Sequence, residues 1–289
     1  MEVLLPGTLD EALELAAANP EVVPIAGGTD VMVELNMDLG RPETLMDVSR
    51  IAELREWRRE NGHVFLGAGV SYTRIIDELG ELSPLVQASR SVGSPQIRNR
   101  GTVGGNLGTA SPAGDALPVL AAYDAEVVLV RSGGATRLVA WNEFLTGVKQ
   151  TSREPGELIL GARWTPPRGR GSFSKIGTRN AMVIAVASLC FQMDEDARSL
   201  RVALGSVAPT VVRATEAEAF AAGALGEAGA WDDATRSLDQ TEIERFGELV
   251  AGAGSPIDDV RGTGAYRRHA CAVLARRALA WALDDRRSG

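Results

Sequence analysis

The sequence predicts an α+β protein: two small α/β subdomains, then a C-terminal unit that joins a small antiparallel sheet to several helices. Three observations carry this. Short strand-like runs alternate with helix-period stretches up to about residue 165, and two of these strands run straight into glycine clusters. Two longer apolar runs, Val183–Met193 and Leu200–Val207, flank an acidic turn at Asp194-Glu195-Asp196 and read as antiparallel neighbours. The remainder is alanine-rich with a helical period. The domain division is therefore set at 1–170, with subdomains of about 1–55 and 56–170, and 171–289.

In chain order, Thr8 with Glu11 three residues on forms a capping box, and Leu9, Ala12, Leu13 and Ala16 give that first helix its apolar face. Asn19-Pro20 ends it. Val22–Ile25 is a strand that feeds Ala26-Gly27-Gly28-Thr29-Asp30, after which Val31–Leu35 opens a helix. Thr44–Val48 is extended. Ile51–Glu60 reads as a charged helix and His63–Leu66 as a strand. Helices follow at Thr73–Leu79 and from Ser83-Pro84, where proline suits the first turn, with Gly93 as the stop.

Ile97 to Pro118 holds five glycines, two prolines and two asparagines, so it cannot be one regular strand or helix throughout. A short helix comes next, then Glu126–Val130 and Thr136–Val139, which flank Ser132-Gly133-Gly134 as a hairpin. Glu157–Trp164 is the last strand of this part. Helices are predicted at Arg213–Ala222, Thr241–Ala251 and Gly264–Leu283.

Composition excludes several classes. The chain has 289 residues, 30 Lys and Arg against 38 Asp and Glu, and a net charge of −8. It has no basic tract of the kind that nucleic acid demands. No apolar run reaches the roughly 18–20 residues that span a bilayer, and MEVLLPGT lacks a basic region followed by an apolar stretch, so the expectation is a cytoplasmic protein with no membrane span. Cys190 and Cys271 are the only cysteines, too few for a disulfide framework or an iron–sulfur cluster; both read as core thiols. His63 and His269 lack partners at the spacing of a zinc site or a catalytic triad, so neither a metal site nor a catalytic residue is assigned.

What remains is glycine chemistry. A glycine-dense segment can adopt positive φ, approach a ligand with its backbone, and present successive N–H groups to an anion. Arg100–Pro112 adds the side-chain donors Thr102, Asn106, Thr109 and Ser111. Asp115, just past this tract, suits a sugar or ribityl hydroxyl better than a phosphate. Neither a phosphate-binding G-x-x-x-x-G-K-[ST] nor a helix-opening G-x-G-x-x-G is present, which disfavours a P-loop nucleotidase or a Rossmann dehydrogenase.

Three segments carry a resemblance: Ile25-Ala26-Gly27-Gly28-Thr29-Asp30-Val31, the tract Thr102-Val103-Gly104-Gly105-Asn106-Leu107-Gly108-Thr109-Ala110-Ser111-Pro112-Ala113-Gly114-Asp115, and Phe173-Ser174-Lys175-Ile176-Gly177-Thr178-Arg179. Over nearly its whole length the chain resembles the FAD-binding medium subunit of the molybdenum hydroxylases, the xanthine dehydrogenase and carbon monoxide dehydrogenase family. Its flavin domain is similar to that of the vanillyl-alcohol oxidase (PCMH) group. The second segment is the most specific. Gly205-Ser206-Val207-Ala208-Pro209 and Ala265-Tyr266-Arg267-Arg268 also look like family signatures. The first segment is nearer the xanthine dehydrogenase branch. The four-cysteine insertion of 4-hydroxybenzoyl-CoA reductase flavin subunits is missing, and position 92, aromatic in some members, is Val.

The resemblance implies an oxidoreductase subunit with FAD in this chain. Ala26–Val31 would hold the adenine-side pyrophosphate, and Thr102, Gly104, Gly105, Asn106 and Thr109 the diphosphate and neighbouring groups. Asp115 would meet a cofactor hydroxyl, Ile159 or Leu160 would pack on the isoalloxazine, and Lys175 would sit at its N1–C2=O end. It also implies partners: a subunit with [2Fe–2S] clusters and a molybdopterin subunit that hydroxylates the substrate, with a purine such as xanthine as a candidate. The assembly would be a dimer of heterotrimers, passing electrons to NAD, oxygen, a quinone or a ferredoxin. The alternative is a stand-alone flavoprotein oxidase of the vanillyl-alcohol type.

Overall fold

Thr8 begins the first helix, Leu9–Ala18, by accepting a hydrogen bond from the Glu11 amide at 3.2 Å, while the Glu11 carboxylate accepts from the Gly7 amide instead of closing a capping box on Thr8. The helix lays Ala12, Leu13 and Ala16 on the core. These details come from a computed structural model that describes residues 1–288. The chain forms two compact units: residues 1–78, 92–111 and 124–166 make the first, and residues 79–91, 112–123 and 167–289 the second.

The first unit contains two sheets. Strands Glu2–Leu4, Thr44–Asp47 and Val23–Ile25 form a parallel sheet with Thr44–Asp47 in the middle; the N-terminal strand is an addition to the expected elements. The second is five-stranded, in the order Trp57–Glu60, His63–Gly67, Leu158–Trp164, Glu126–Val130, Thr136–Ala140. The predicted charged helix over Ile51–Glu60 is thereby corrected. Only Glu53–Arg55 is helical, a 3-10 turn, and Trp57–Glu60 is a strand paired with His63–Gly67. The cause is Asn61-Gly62, whose φ angles of 52° and 80° make the two-residue hairpin turn that such a pair favours. Glu126–Val130 and Thr136–Ala140 form the expected hairpin. The core gathers Leu13, Met46, Ile51, Leu54, Ala68 and Leu158.

In the second unit, Gly171–Ile176, Ala187–Asp194, Ser199–Gly205 and Val212–Arg213 form an antiparallel sheet in that order. Its core joins Leu189, Phe191, Val202 and Leu204 to Ala217, Ala221, Phe246, Leu274 and Leu279 from the helices Thr215–Glu227, Gln240–Gly252 and Gly264–Ser288. Helices Ser83–Ser91 and Ala116–Ala122 pack into this unit although they precede it in sequence. Among the described residues no helix is long and apolar enough to cross a membrane.

Candidate functional site

In the first unit, Ala26–Asp30 leaves the C-terminal end of the strand Val23–Ile25 and leads into the helix Val31–Asn36. Gly27 is obligatory: a Cβ there would lie 1.9 Å from the carbonyl oxygen of Arg100. Gly28 has φ +75°, a left-handed conformation that glycine adopts without strain. Among the described residues, the successive amides of Gly27, Gly28, Thr29, Asp30 and Val31 donate to no protein acceptor. Half-buried from Gly27 to Thr29, this run is a set of donors aimed at nothing the chain itself supplies. Asp30 does not cap the helix that follows, because its carboxylate accepts from the Thr109 hydroxyl at 2.9 Å.

The second glycine segment is not an open loop. Thr102 caps a helix, Val103–Thr109, with its hydroxyl accepting from the Gly105 amide at 2.9 Å. The Gly104 amide donates to the Ala68 carbonyl at 3.0 Å and that of Asn106 to the Thr102 carbonyl at 3.1 Å, so this first turn has already committed its donors. Gly104 is required by packing, since a Cβ would meet that of Ala68 at 2.4 Å. Gly105 and Gly108 are not. An added methyl would come no nearer than 3.3 Å to Thr102 Oγ1 and 3.7 Å to Ile159 Cδ1, respectively. Each glycine costs a helix about 1 kcal/mol relative to alanine, and no protein atom accounts for keeping that face bare.

Ile159 and Leu160 sit beside this helix on the strand Leu158–Trp164. Pairing jumps from Ile159 opposite Leu129 to Gly161 opposite Val128, which leaves Leu160 as an extra residue. Such a bulge re-aims side chains and is common beside active sites. The Leu160 carbonyl accepts from the Ala68 amide at 2.9 Å, and both side chains are half-buried. The start of the strand is fixed by Glu157, 1% exposed, which accepts from Arg137 at 2.7 and 2.8 Å and from Arg131 at 3.0 Å. The Arg137 guanidinium holds its carboxyl at a pKa of about 2.

Asp115 and Lys175 belong to the second unit. Lys175, on the strand Gly171–Ile176, donates to Asp115 Oδ2 at 2.6 Å and to the Ser91 carbonyl at 3.0 Å; its side chain is 10% exposed and that of Asp115 6%. The Ser91 hydroxyl lies 3.0 Å from the same carboxylate oxygen. Oδ1 of Asp115 is buried and has no partner. Burial raises the Asp115 pKa, and the Lys175 charge only partly opposes it. Nearby, the Ser206 amide, at φ +64°, donates to the Pro112 carbonyl at 2.8 Å. Arg267 ties the Val186 and Ser206 carbonyls to Asp259.

With this arrangement known, the comparisons decide the family. Residues 1–163 match the FAD binding domain in molybdopterin dehydrogenase, and residues 172–282 match the CO dehydrogenase flavoprotein C-terminal domain. The chain belongs to the molybdopterin dehydrogenase FAD-binding family. Among relatives, it is 29% identical to a putative xanthine dehydrogenase FAD-binding subunit of Escherichia coli, across 96% of this chain and 94% of that one. It is 31% identical to caffeine dehydrogenase subunit beta of a Pseudomonas species, across 73% and 75%. The carbon monoxide dehydrogenase structure from Hydrogenophaga pseudoflava superimposes with a TM-score of 0.87 at 26% identity, covering 99% of this chain and 98% of that one.

The family assignment makes this chain the FAD subunit of an oxidoreductase of the molybdenum hydroxylase type, with the α+β fold expected. Relatives named as subunits disfavour the stand-alone oxidase. The first unit brings together Ala26–Val31, Thr102–Thr109, Ile159 and Leu160, and the second pairs Asp115 with Lys175. The sequence reading missed Ala68, Ser91 and Lys149. Only Lys149 had a visible signal, since just two of the 30 basic residues are lysines.

Proposed function

We propose that this chain holds FAD for electron transfer within a molybdenum hydroxylase complex, and that the unused amides of Gly27–Val31 receive its pyrophosphate. That run of donors is the observation that carries the reading. Within the first unit, the bare helix face at Gly105 and Gly108 also fits the cofactor; within the second, the orphaned Asp115 Oδ1 suits a ligand hydroxyl. Because the Gly104 and Gly105 amides and the Thr102 hydroxyl are engaged, Thr102, Gly104 and Gly105 would shape the wall against which the diphosphate lies. Asn106 and Thr109 would complete it. Ile159 and Leu160 offer the apolar surface for the ring. In the second unit, the buried Lys175 charge is balanced by Asp115.

When bound, FAD supplies the conversion between one-electron donors and a two-electron acceptor. The donors in this reading are [2Fe–2S] clusters of one partner subunit, fed by a molybdopterin subunit that hydroxylates the substrate, in a cytoplasmic dimer of heterotrimers. The acceptor is drawn from NAD, oxygen, a quinone or a ferredoxin. A purine is the favoured substrate class, supported by the first glycine segment and by relatives named for xanthine and caffeine. We keep a division at residue 170 as a proposal for the sequence modules, although residues 79–91 and 112–123 pack with the second unit.

Purification with its co-purifying proteins tests the reading. A flavin absorption band, iron and molybdenum are expected together. A complex without the flavin band would overturn it.

A further inference from the structure

The helix Val31–Asn36, which carries the end of the open amide run, buries none of its residues, and Met32 and Val33 are each 48% exposed. Core packing therefore does not set its position. Polar ties do. One is the hydrogen bond from Thr109 to Asp30. The other runs through Lys149, at the tip of the two-stranded hairpin Leu145–Gly147 and Gln150–Thr151. Its amide donates to the Ala110 carbonyl at 3.1 Å, directly after the glycine helix, and its ammonium meets Glu34 Oε1 at 2.5 Å on the helix Val31–Asn36.

Lys149 and Ala110 are both non-glycine residues in the left-handed region, at φ 55° and 46°. Such conformations persist where surrounding structure enforces them and cluster at functional sites. The chain uses lysine only twice, and each lysine is paired with a carboxylate on or beside a glycine segment: Lys175 with Asp115, and Lys149 with Glu34.

From these contacts we infer that Lys149 is a positioning residue for the cofactor. It clasps the helix behind the open amides to the end of the glycine helix Val103–Thr109, and so sets the gap into which the diphosphate must fit. The inference rests on the FAD reading above. The Lys149–Glu34 pair is half-exposed, so its removal changes global stability little. Its effect falls on a helix held otherwise by the Thr109–Asp30 hydrogen bond rather than by core packing.

The test uses the full chain with its co-purifying partners, reading FAD dissociation by recovery of flavin fluorescence and unfolding of the FAD-free protein by circular dichroism. Lys149→Met and Glu34→Gln are each expected to weaken FAD about tenfold, with the double variant no worse than either single one. Lys149→Arg should restore affinity to within about threefold of the starting protein, because the charge pair is kept. The melting temperature of the FAD-free variants should stay within about 2 °C. Unchanged FAD affinity in Lys149→Met, or additive losses in the double variant, would overturn the clasp. An unsubstituted protein that holds no FAD would overturn the functional reading instead.

Discussion

Gly104 rests directly against Ala68: its amide donates to the Ala68 carbonyl at 3.0 Å, and a methyl group added to it would stand 2.4 Å from the Ala68 Cβ. Gly108, four residues on, has only Ile159 Cδ1 at 3.7 Å from the corresponding position. The two glycines thus serve different ends. Gly104→Ala is expected to destabilise the fold by about 1–3 kcal/mol through overpacking. Gly108→Ala should leave stability unchanged or raise it by about 0.5–1 kcal/mol through helix propensity, yet lower FAD affinity. Denaturant unfolding of both FAD-free variants, with FAD titration of Gly108→Ala, checks this. Full FAD affinity in Gly108→Ala would show that the bare face is not a cofactor wall.

Lys175 and Asp115 make a second prediction. Lys175→Met leaves a carboxylate that is 6% exposed with, among the described residues, the Ser91 hydroxyl as its remaining hydrogen-bond partner, at a cost of about 3–5 kcal/mol at neutral pH. Burial already raises the Asp115 pKa above its ordinary value, and loss of the lysine charge raises it further. An acid with a raised folded pKa contributes stability below its unfolded pKa and loses that contribution as pH rises through the folded one. The variant should therefore be less impaired at pH 5 than at pH 8 in urea melts. Equal impairment at both would argue that Asp115 stays ionised throughout.

Much of this architecture was legible because periodicity and capping are local. The hairpin at Ser132-Gly133-Gly134, the antiparallel pair across Asp194–Asp196 and the three C-terminal helices all follow from such signals. Ile51–Glu60 misled because charge density favours helix on average, whereas Asn61-Gly62 imposes a hairpin. The helix Val103–Thr109 was invisible to propensity, since three of its seven residues are glycine. It forms because Thr102 caps it and Ala68 accepts its second amide. The partners Ala68, Ser91 and Glu34 are set by tertiary contacts that no spacing rule encodes.

The two thiols give a third prediction. Cys190 and Cys271 are 0% and 1% exposed. Burial pushes the Cys190 thiol far up and the Cys271 thiol to about 12, with Arg213 and Arg267 only partly opposing this. The thiolate is the reactive form, so neither should react with Ellman's reagent in the native protein at pH 8, and both should react in denaturant. Fast labelling of the native chain at either position would show local opening of the C-terminal core.

Glu157 supplies the clearest pH signature. It is 1% exposed, is held by Arg137 and Arg131, and has a pKa lowered from 4.5 to about 2. A carboxyl depressed in the folded state contributes stability above its unfolded pKa and loses it as pH falls through the folded value. The window thus runs from pH 4.5 down to about 2. Asp115, with its raised pKa, acts in the opposite sense, whereas Glu78, Asp233 and Asp259, held low by their hydrogen bonds, add to the acid slope beside Glu157. Glu157→Gln should cost about 1–3 kcal/mol at pH 7, because it removes a buried carboxylate that accepts from Arg137 and Arg131, while both arginines stay largely solvated and Arg131 keeps Glu154. The same variant should unfold with a flatter pH dependence below 4.5 than the unsubstituted protein. Identical slopes would mean that Glu157 does not set the acid slope and that other carboxylates do.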